Sequence, residues 1–327
     1  MKKIFVTGAG GFVGNFVTAQ LLRAGYELYT LIRKRKPQLP ESASLHFLEG
    51  DILRPESYYS AIGKCDTVLH IAGEISATTD YRYMRPNAAG TEALAKAAAK
   101  SGAIQKFLYI SSLAAGGPSQ PGKPRIELDP DEPVSPYGRS KLAGETRLFN
   151  SDADFQKIVI RPPVVYGPGD RGFFTFFKLT AAHVNPVFYG LTEKISIIHI
   201  ADLSQIILRL LDFNANGRDV IFYVNDGTPE HDVRDLINMM RKHSETWHFT
   251  LPVHRLLLAA AGYGSNWLGV ALNRRIQMNK NKYLELKQRV WTCDASKVFE
   301  FLQFQPTIEL DKGISETFAW YRKNGWL

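Results

Sequence analysis

The sequence predicts an α/β protein: a doubly wound parallel sheet with a smaller C-terminal domain. Three observations predict it. Short apolar runs alternate with helical periodicities from the first residues to about Arg161. The first run leads straight into a glycine-rich turn and then a helical pattern. Beyond Pro162 the alternation loosens, and a chain of 327 residues is long enough for about two domains.

Lys2 to Thr7 reads as a buried strand, followed by Gly8-Ala9-Gly10-Gly11-Phe12-Val13-Gly14 and a helix to about Ala24, stopped by Gly25. Glu27–Ile32, Leu45–Glu49 and Thr67–Ile71 read as the second to fourth strands. An alanine-rich helix is expected over Asn87–Ser101, a fifth strand over Phe107–Ser111, a helix over Pro136–Asn150 and a sixth strand over Lys157–Arg161. These strands are apolar on both faces, as buried parallel strands are. Later helices are expected near residues 173–182, over Asp202–Leu211, Asp232–His243 and Lys312–Lys323, with a strand over Asp219–Val224. Gly116 to Pro136 is rich in glycine, proline and charge and reads as a loop, placed to serve as a lid.

The spacing Gly8-x-x-Gly11-x-x-Gly14 between strand and helix carries a mechanism. Gly8 permits the tight turn, Gly11 lets backbone approach a pyrophosphate, and Gly14 lets the helix pack close. The helix N-terminus offers free N–H groups to the anion. No Gly-Lys-Ser/Thr follows, which disfavours a triphosphatase loop. The reading is a Rossmann-type nicotinamide dinucleotide domain over residues 1–165, with about 195–225 returning to it, and a mainly substrate-binding domain over 166–327. Arg33 follows the second strand where a carboxylate would bind the ribose of NAD. A guanidinium there suits the 2′-phosphate of NADP, with Lys34 and Arg35 in support, so NADP is preferred and NAD remains possible. The same basic run also reads as a solvated turn. Asp51 and Ile52, after the third strand, are candidates for the adenine edge, although Asp51 could equally cap the following turn.

Tyr137 and Lys141 stand four apart at the start of a helix, so they share a face. A free phenol near pH 7 is a poor acid–base group, and a neighbouring ammonium stabilises its phenolate. Ser111 and Ser112 end the fifth strand, at the carboxyl edge where such sheets bind ligands.

Together with His70-Ile71-Ala72-Gly73, Asn87-Ala88-Ala89-Gly90-Thr91, Tyr137-Gly138-Arg139-Ser140-Lys141 and Arg161-Pro162-Pro163-Val164-Val165-Tyr166-Gly167-Pro168, these motifs resemble the extended short-chain dehydrogenase/reductase superfamily along nearly the whole chain. The resemblance implies catalytic roles for Ser112, Tyr137 and Lys141. It implies cofactor contacts at Gly8, Gly11, Phe12, Val13, Gly14, Ile71, Ala72, Gly73, Asn87 and Ser111, and at Pro162, Val164 and Val165 beside the nicotinamide. His199 and Asp202 match a family His-x-x-Asp point that reads better as structural. Leu113-Ala114 after Ser112 lacks the Asp-Glu of sugar-nucleotide dehydratases, so elimination is disfavoured. The residues look more like the dihydroflavonol reductase and 3β-hydroxysteroid dehydrogenase branches. Reversible hydride transfer between a secondary alcohol and a ketone is therefore expected. A sugar-nucleotide epimerase with retained cofactor and a non-catalytic cofactor-binding protein are the alternatives.

The substrate is expected to be a small, partly apolar molecule, lined by Phe173–Phe177, Val184–Tyr189 and Pro252–Leu272, and the resemblance implies a homodimer through the helices near Asn87 and Pro136. A net charge of +8 favours anionic partners in general, but no nucleic-acid motif accompanies it. Cys65 and Cys293 provide no disulfide framework or metal spacing, which suits a reducing, cytoplasmic setting. The apolar run after Met1-Lys2-Lys3 is too short for a signal peptide, and no stretch reaches membrane-spanning length. Leu251–Leu272 comes nearest and reads as helix and loop over a pocket, so membrane association is not expected, a surface patch being the lesser reading.

Overall fold

The computed structural model describes residues 2–33, 42–213, 219–244, 247–256, 258–260 and 280–327. The chain forms two compact units. One comprises Met1–Ala115, Pro136–Arg161 and Ser204–Phe222; the other comprises Gly116–Ser135, Pro162–Leu203 and Tyr223–Leu327.

The first unit is built on seven described strands: β1 (Lys3–Thr7), β2 (Glu27–Ile32), β3 (Leu45–Glu49), β4 (Thr67–His70), β5 (Lys106–Ile110), β6 (Gln156–Arg161) and β11 (Val220–Tyr223). Their order is β11-β6-β5-β4-β1-β2-β3. Pairing is parallel from β3 through β2, β1, β4 and β5 to β6. The chain runs outward from β1 to β3, then crosses back to β4 on the other side of β1. That reversal opens a crevice at the carboxyl ends of β1 and β4. Helix α1 (Phe12–Arg23) follows β1 and buries Gly14, Val17, Thr18 and Leu21 along one stripe. Phe5, Val68, Phe107 and Val159 meet Leu94, Ala95 and Ala98 in the core.

The helix expected over Asn87–Ser101 starts earlier and is not uniform. Helix α3 (Asp80–Met84) is capped by the Thr79 side chain. A π-helical turn spans Arg85–Ala89, and α4 (Gly90–Ser101) continues. Pro86 has no N–H and crowds the preceding turn, so the wider winding falls where the regular ladder is already broken. The turn holds Asn87. Helix α6 (Pro136–Phe149) packs against it, since a Cβ on Gly144 would lie 2.3 Å from the Asn87 carbonyl oxygen.

In the second unit, β7 (Val164–Tyr166) pairs parallel with β10 (Ile197–His199). Val164–Tyr166 falls where the alternation of strands and helices loosens beyond Pro162; its two β-branched residues and tyrosine suit a strand. Strand β8 (Val184–Tyr189) pairs parallel with β13 (Phe249–His254). The expectation of helix and loop from Leu251 is thus corrected at its start: Phe249–His254 alternates along a two-stranded sheet, where every strand is an edge and Pro252 costs little. Residues 257 and 261–272 of that segment lie outside the described residues. Tyr166, Phe177, Ile195, Ile197, Ile314 and Phe318 form this unit's core.

The Gly116–Ser135 loop is not a free flap. Arg125 is buried and donates to the carbonyls of Pro118 and Pro130. Its backbone N–H donates to Thr292 O, and its own carbonyl accepts from Asp294 N. Closing a loop around a buried guanidinium ties it down, which a lid would not tolerate. Among the described residues, no helix is long and apolar enough to cross a membrane. Both cysteines are buried and unpaired.

Candidate active site

The crevice begins with the glycine turn. Gly8 has φ +83°, and a Cβ there would lie 2.5 Å from Ala72 N, so only glycine lets the β1 turn touch the β4 turn. A Cβ on Gly14 would lie 2.1 Å from Gly8 O, which is how α1 comes close enough to start under the loop. Gly11 differs. A Cβ there would meet only Gly8 O, at 3.4 Å, and the residue is exposed. The α1 N-terminus has no side-chain cap. Open backbone before an uncapped helix end fits the pyrophosphate of a dinucleotide. Phe12 and Val13 are half-buried in the first helical turn.

Arg33 stands exposed directly after β2, and no acidic side chain occupies that position. Lys34 and Arg35 lie outside the described residues. Asp51 uses Oδ1 to accept from Leu53 N at 3.0 Å, closing the turn after β3. Ile52 fills the space beside Gly90, where a Cβ would lie 2.9 Å from its methyl group. Of the two readings of Asp51, its carboxylate makes the turn contact.

Across the crevice, Ile71, Ala72 and Gly73 follow β4. A hydrogen-bond chain fixes them. Ala72 N donates to Thr7 Oγ1 at 3.2 Å, and Thr7 Oγ1 lies 2.7 Å from His70 Nδ1. His70 Nε2 lies 2.9 Å from Thr91 Oγ1, which donates to Asn87 O at 2.7 Å. Since the Thr91 proton is committed to Asn87, its oxygen accepts from His70 Nε2–H, and Nδ1 accepts from Thr7. The buried ring is therefore neutral; burial first, and Lys141 second, hold its pKa well below the usual value.

Asn87 is fully buried and its amide is satisfied at every turn. Oδ1 accepts from Glu74 N at 2.7 Å, while Nδ2 donates to Glu74 O at 2.9 Å and Ser140 Oγ at 2.8 Å. It clamps the loop following Gly73 to α6. A Cβ on Gly73 would lie 3.1 Å from Asn87 Oδ1 and 3.7 Å from Lys141 Nζ.

Lys141 is buried beneath this floor. Its Nζ donates to Ile110 O at 2.7 Å and stands 4.3 Å from the centre of the Tyr109 ring. Burial pulls its pKa down to about 7, against the upward push of the Glu145 carboxylate. Tyr137 is one turn earlier on the same face, half-buried, its ring 6.1 Å from that of buried Tyr83. Ser112 is half-buried at the end of β5, and its Oγ accepts from Ala114 N at 3.2 Å. The neighbouring Ser111 is committed elsewhere: its hydroxyl donates to Glu145 Oε1.

Glu145 was not singled out in the sequence, nor was Arg161 for any role. Both are almost wholly buried and paired, Nη2 to Oε2 at 2.6 Å and Nε to Oε1 at 3.1 Å. Removing one partner of such a pair costs about 3–5 kcal/mol. The only sequence signal for Glu145 was its place one further turn along the Tyr137–Lys141 face. Pro162, Val164 and Val165 belong to the second unit, with Val164 and Val165 in β7 opposite Ile197 and Ile198. Asp202 there is buried and accepts from Thr307 N, Thr307 Oγ1 and Ile308 N at 2.9–3.1 Å, a structural clamp. His199 Nδ1 accepts from Ala201 N at 3.3 Å. Among the described residues, no cluster of His, Cys, Asp and Glu could hold a metal ion.

Comparison with known proteins gives the family and the fold. The sequence pattern of the NAD-dependent epimerase/dehydratase family matches residues 4–224. A ceramide reductase from Caulobacter vibrioides is 28% identical over 331 residues, covering 99% of this chain and 96% of that protein. A UDP-glucose 4-epimerase from Vibrio cholerae is also 28% identical, covering 97% and 94%. A 3-beta-hydroxysteroid dehydrogenase from Mycolicibacterium neoaurum is 26% identical, covering 70% and 67%. Among solved structures, a UDP-glucose 4-epimerase from Thermotoga maritima superposes with a TM-score of 0.78 at 20% identity, covering 98% of this chain and 99% of that one, a likeness of fold.

Proposed function

This chain belongs to the NAD-dependent epimerase/dehydratase family, whose members are NAD(P)-dependent enzymes, and we propose that within it the protein is an NADP-dependent reductase of ketones carried on apolar molecules. The observation that carries the reading is Lys141: a buried amine anchored on Ile110 O at the carboxyl end of β5, one turn from Tyr137 and beside Gly73. A buried amine at the crevice floor has little structural use there, whereas it suits a ribose hydroxyl and a phenolate above it.

The turn from Gly8 to Gly14 and Lys141 would hold a nicotinamide dinucleotide, which when bound would supply or receive the hydride. The remaining work falls to side chains of this chain. Tyr137 donates its phenolic proton to the carbonyl oxygen as the alkoxide forms, and in the alcohol-to-ketone direction the phenolate takes that proton back. Ser112 Oγ holds the same oxygen. Lys141 would steady the phenolate and hold the ribose through its Nζ, which lies beside Gly73. Arg33 supports the choice of NADP through its charge and fork geometry. The names of two relatives, one for ceramide and one for a steroid, support an apolar substrate. For assembly we propose a homodimer through α4 and α6, supported by their small residues.

The epimerase from Vibrio cholerae favours a second reading, in which the ketone is an intermediate re-reduced on its other face. One experiment separates the two. Purified protein is offered NADPH with long-chain and steroid ketones, and separately UDP-glucose without added cofactor. Net NADPH oxidation with a secondary alcohol as product is expected. Conversion of the sugar nucleotide with no net cofactor consumption would replace the reductase reading.

A further inference from the structure

Helix α6 grips the end of β5 at two consecutive residues. Lys141 and Glu145 stand four apart and so hang from one face of the helix. Lys141 Nζ donates to Ile110 O at 2.7 Å, and the Glu145 carboxylate accepts from the Ser111 hydroxyl. The peptide joining Ile110 to Ser111 is planar, so its carbonyl and its N–H turn together. That N–H donates to Ile160 O on β6 at 2.7 Å. One peptide is thus held by Lys141 on one side and by β6 on the other, while Glu145 holds the side chain beside it. The next residue along the chain is Ser112.

The carboxylate is itself held fast. Arg161 ends β6, one residue past Ile160. Its Nε lies 3.1 Å from Oε1 and 3.2 Å from Oε2 of Glu145, and its Nη2 2.6 Å from Oε2. Glu145 and Arg161 are 1% and 2% exposed, and Ser111 5%. Stability is a poor reason to bury such a group. Taking two charges out of water is costly, and apolar side chains of like volume often serve a core as well or better. What the pair does that apolar packing cannot is aim a hydrogen bond. It aims one at the residue between the anchor of Lys141 and the hydroxyl of Ser112.

We propose that Glu145 is a positioning residue: clamped by Arg161, it fixes Ser111 and so sets where the Lys141 ammonium and the Ser112 hydroxyl stand in the crevice. The proposal rests on the reductase reading only for what those two groups do. Their placement is read without substrate.

The test follows the Lys141 side chain by NMR in the purified full chain carrying isotope-labelled lysine, with Lys141→Arg to assign its signal. Ser111→Ala removes the hydroxyl and leaves the ion pair. In the cofactor-free protein its Lys141 signal is expected to move. NADPH affinity is expected to change less than about twofold, and kcat with a ketone found by the substrate panel to fall about tenfold. Glu145→Gln keeps the shape and removes the charge. Among the described residues, the titratable and charged groups around Lys141 are Tyr137 and Glu145 on α6, Tyr109 on β5, Arg161 on β6 and the neutral His70 on β4. Burial, opposed by the Glu145 carboxylate, holds Lys141 at about 7. Its titration midpoint is therefore expected to fall by about one pH unit in Glu145→Gln. Circular dichroism and thermal melting check that each variant is folded at the assay temperature. Should Glu145→Gln unfold, Ser111→Ala decides. An unmoved Lys141 signal in Ser111→Ala, undiminished turnover by it, or a loss confined to NADPH affinity would each overturn the proposal. So would an unchanged Lys141 midpoint in folded Glu145→Gln. If no ketone is turned over, the reductase reading falls and the Lys141 signal still decides for Glu145.

Discussion

At the scale of single residues, Arg33 is the position on which the proposed preference for NADP rests. It was legible in the sequence because it needs only a strand end and a side-chain type. A guanidinium on a 2′-phosphate is a charge-assisted contact worth about 1.5–3 kcal/mol, or roughly ten- to hundredfold in affinity. Arg33→Glu is expected to raise KM for NADPH by that factor and to leave KM for NADH nearly unchanged, read from initial rates with each cofactor. An unchanged KM for NADPH would return Arg33 to a solvated turn. Gly8, Tyr137 and Lys141 were legible for the same reason, each belonging to a short local spacing. Glu145 was not, and neither was the bond that Ser111 makes to it. Glu145 is paired with Arg161 across the sheet and Ser111 donates to Glu145, and no spacing along the chain announces those meetings.

At the scale of elements, His70 joins β1, β4 and α4 through Thr7 and Thr91. Its motif was readable, yet not its task, because both partners lie far away in sequence. The ring is neutral when folded, with its pKa held well below the ordinary 6.5. In the unfolded chain it takes up a proton near 6.5. Below that pH the unfolded state therefore binds more protons than the folded one, and stability is lost as pH falls. The slope from this group approaches about 1.4 kcal/mol per pH unit. Urea unfolding between pH 7 and 5 is expected to show that loss, and His70→Gln, less stable at pH 7, is expected to show a flatter profile. Parallel profiles would mean that His70 titrates in the folded state. The π-helical turn at Arg85–Ala89 and the β8–β13 sheet were the element-scale departures. A proline in a helical pattern reads as a boundary, and Leu251 onward reads as helix because apolar runs do not reveal their period.

At the scale of the whole molecule, each unit is assembled from separated stretches of chain, each with its own core. The alternation of strands and helices up to Arg161 made the first unit readable. The second, with its strands of two to six residues, offered too little periodicity. Within the first unit, the glycine turn, the Asn87 clamp, buried Lys141 and Tyr137 gather around one crevice. The central claim is that Tyr137 moves the proton there. The most direct measurement is the kcat/KM of Tyr137→Phe with NADPH and a ketone found by the substrate panel, alongside its NADPH affinity. A loss of at least about a hundredfold in kcat/KM, with NADPH still bound, is predicted. Full turnover by Tyr137→Phe would contradict it.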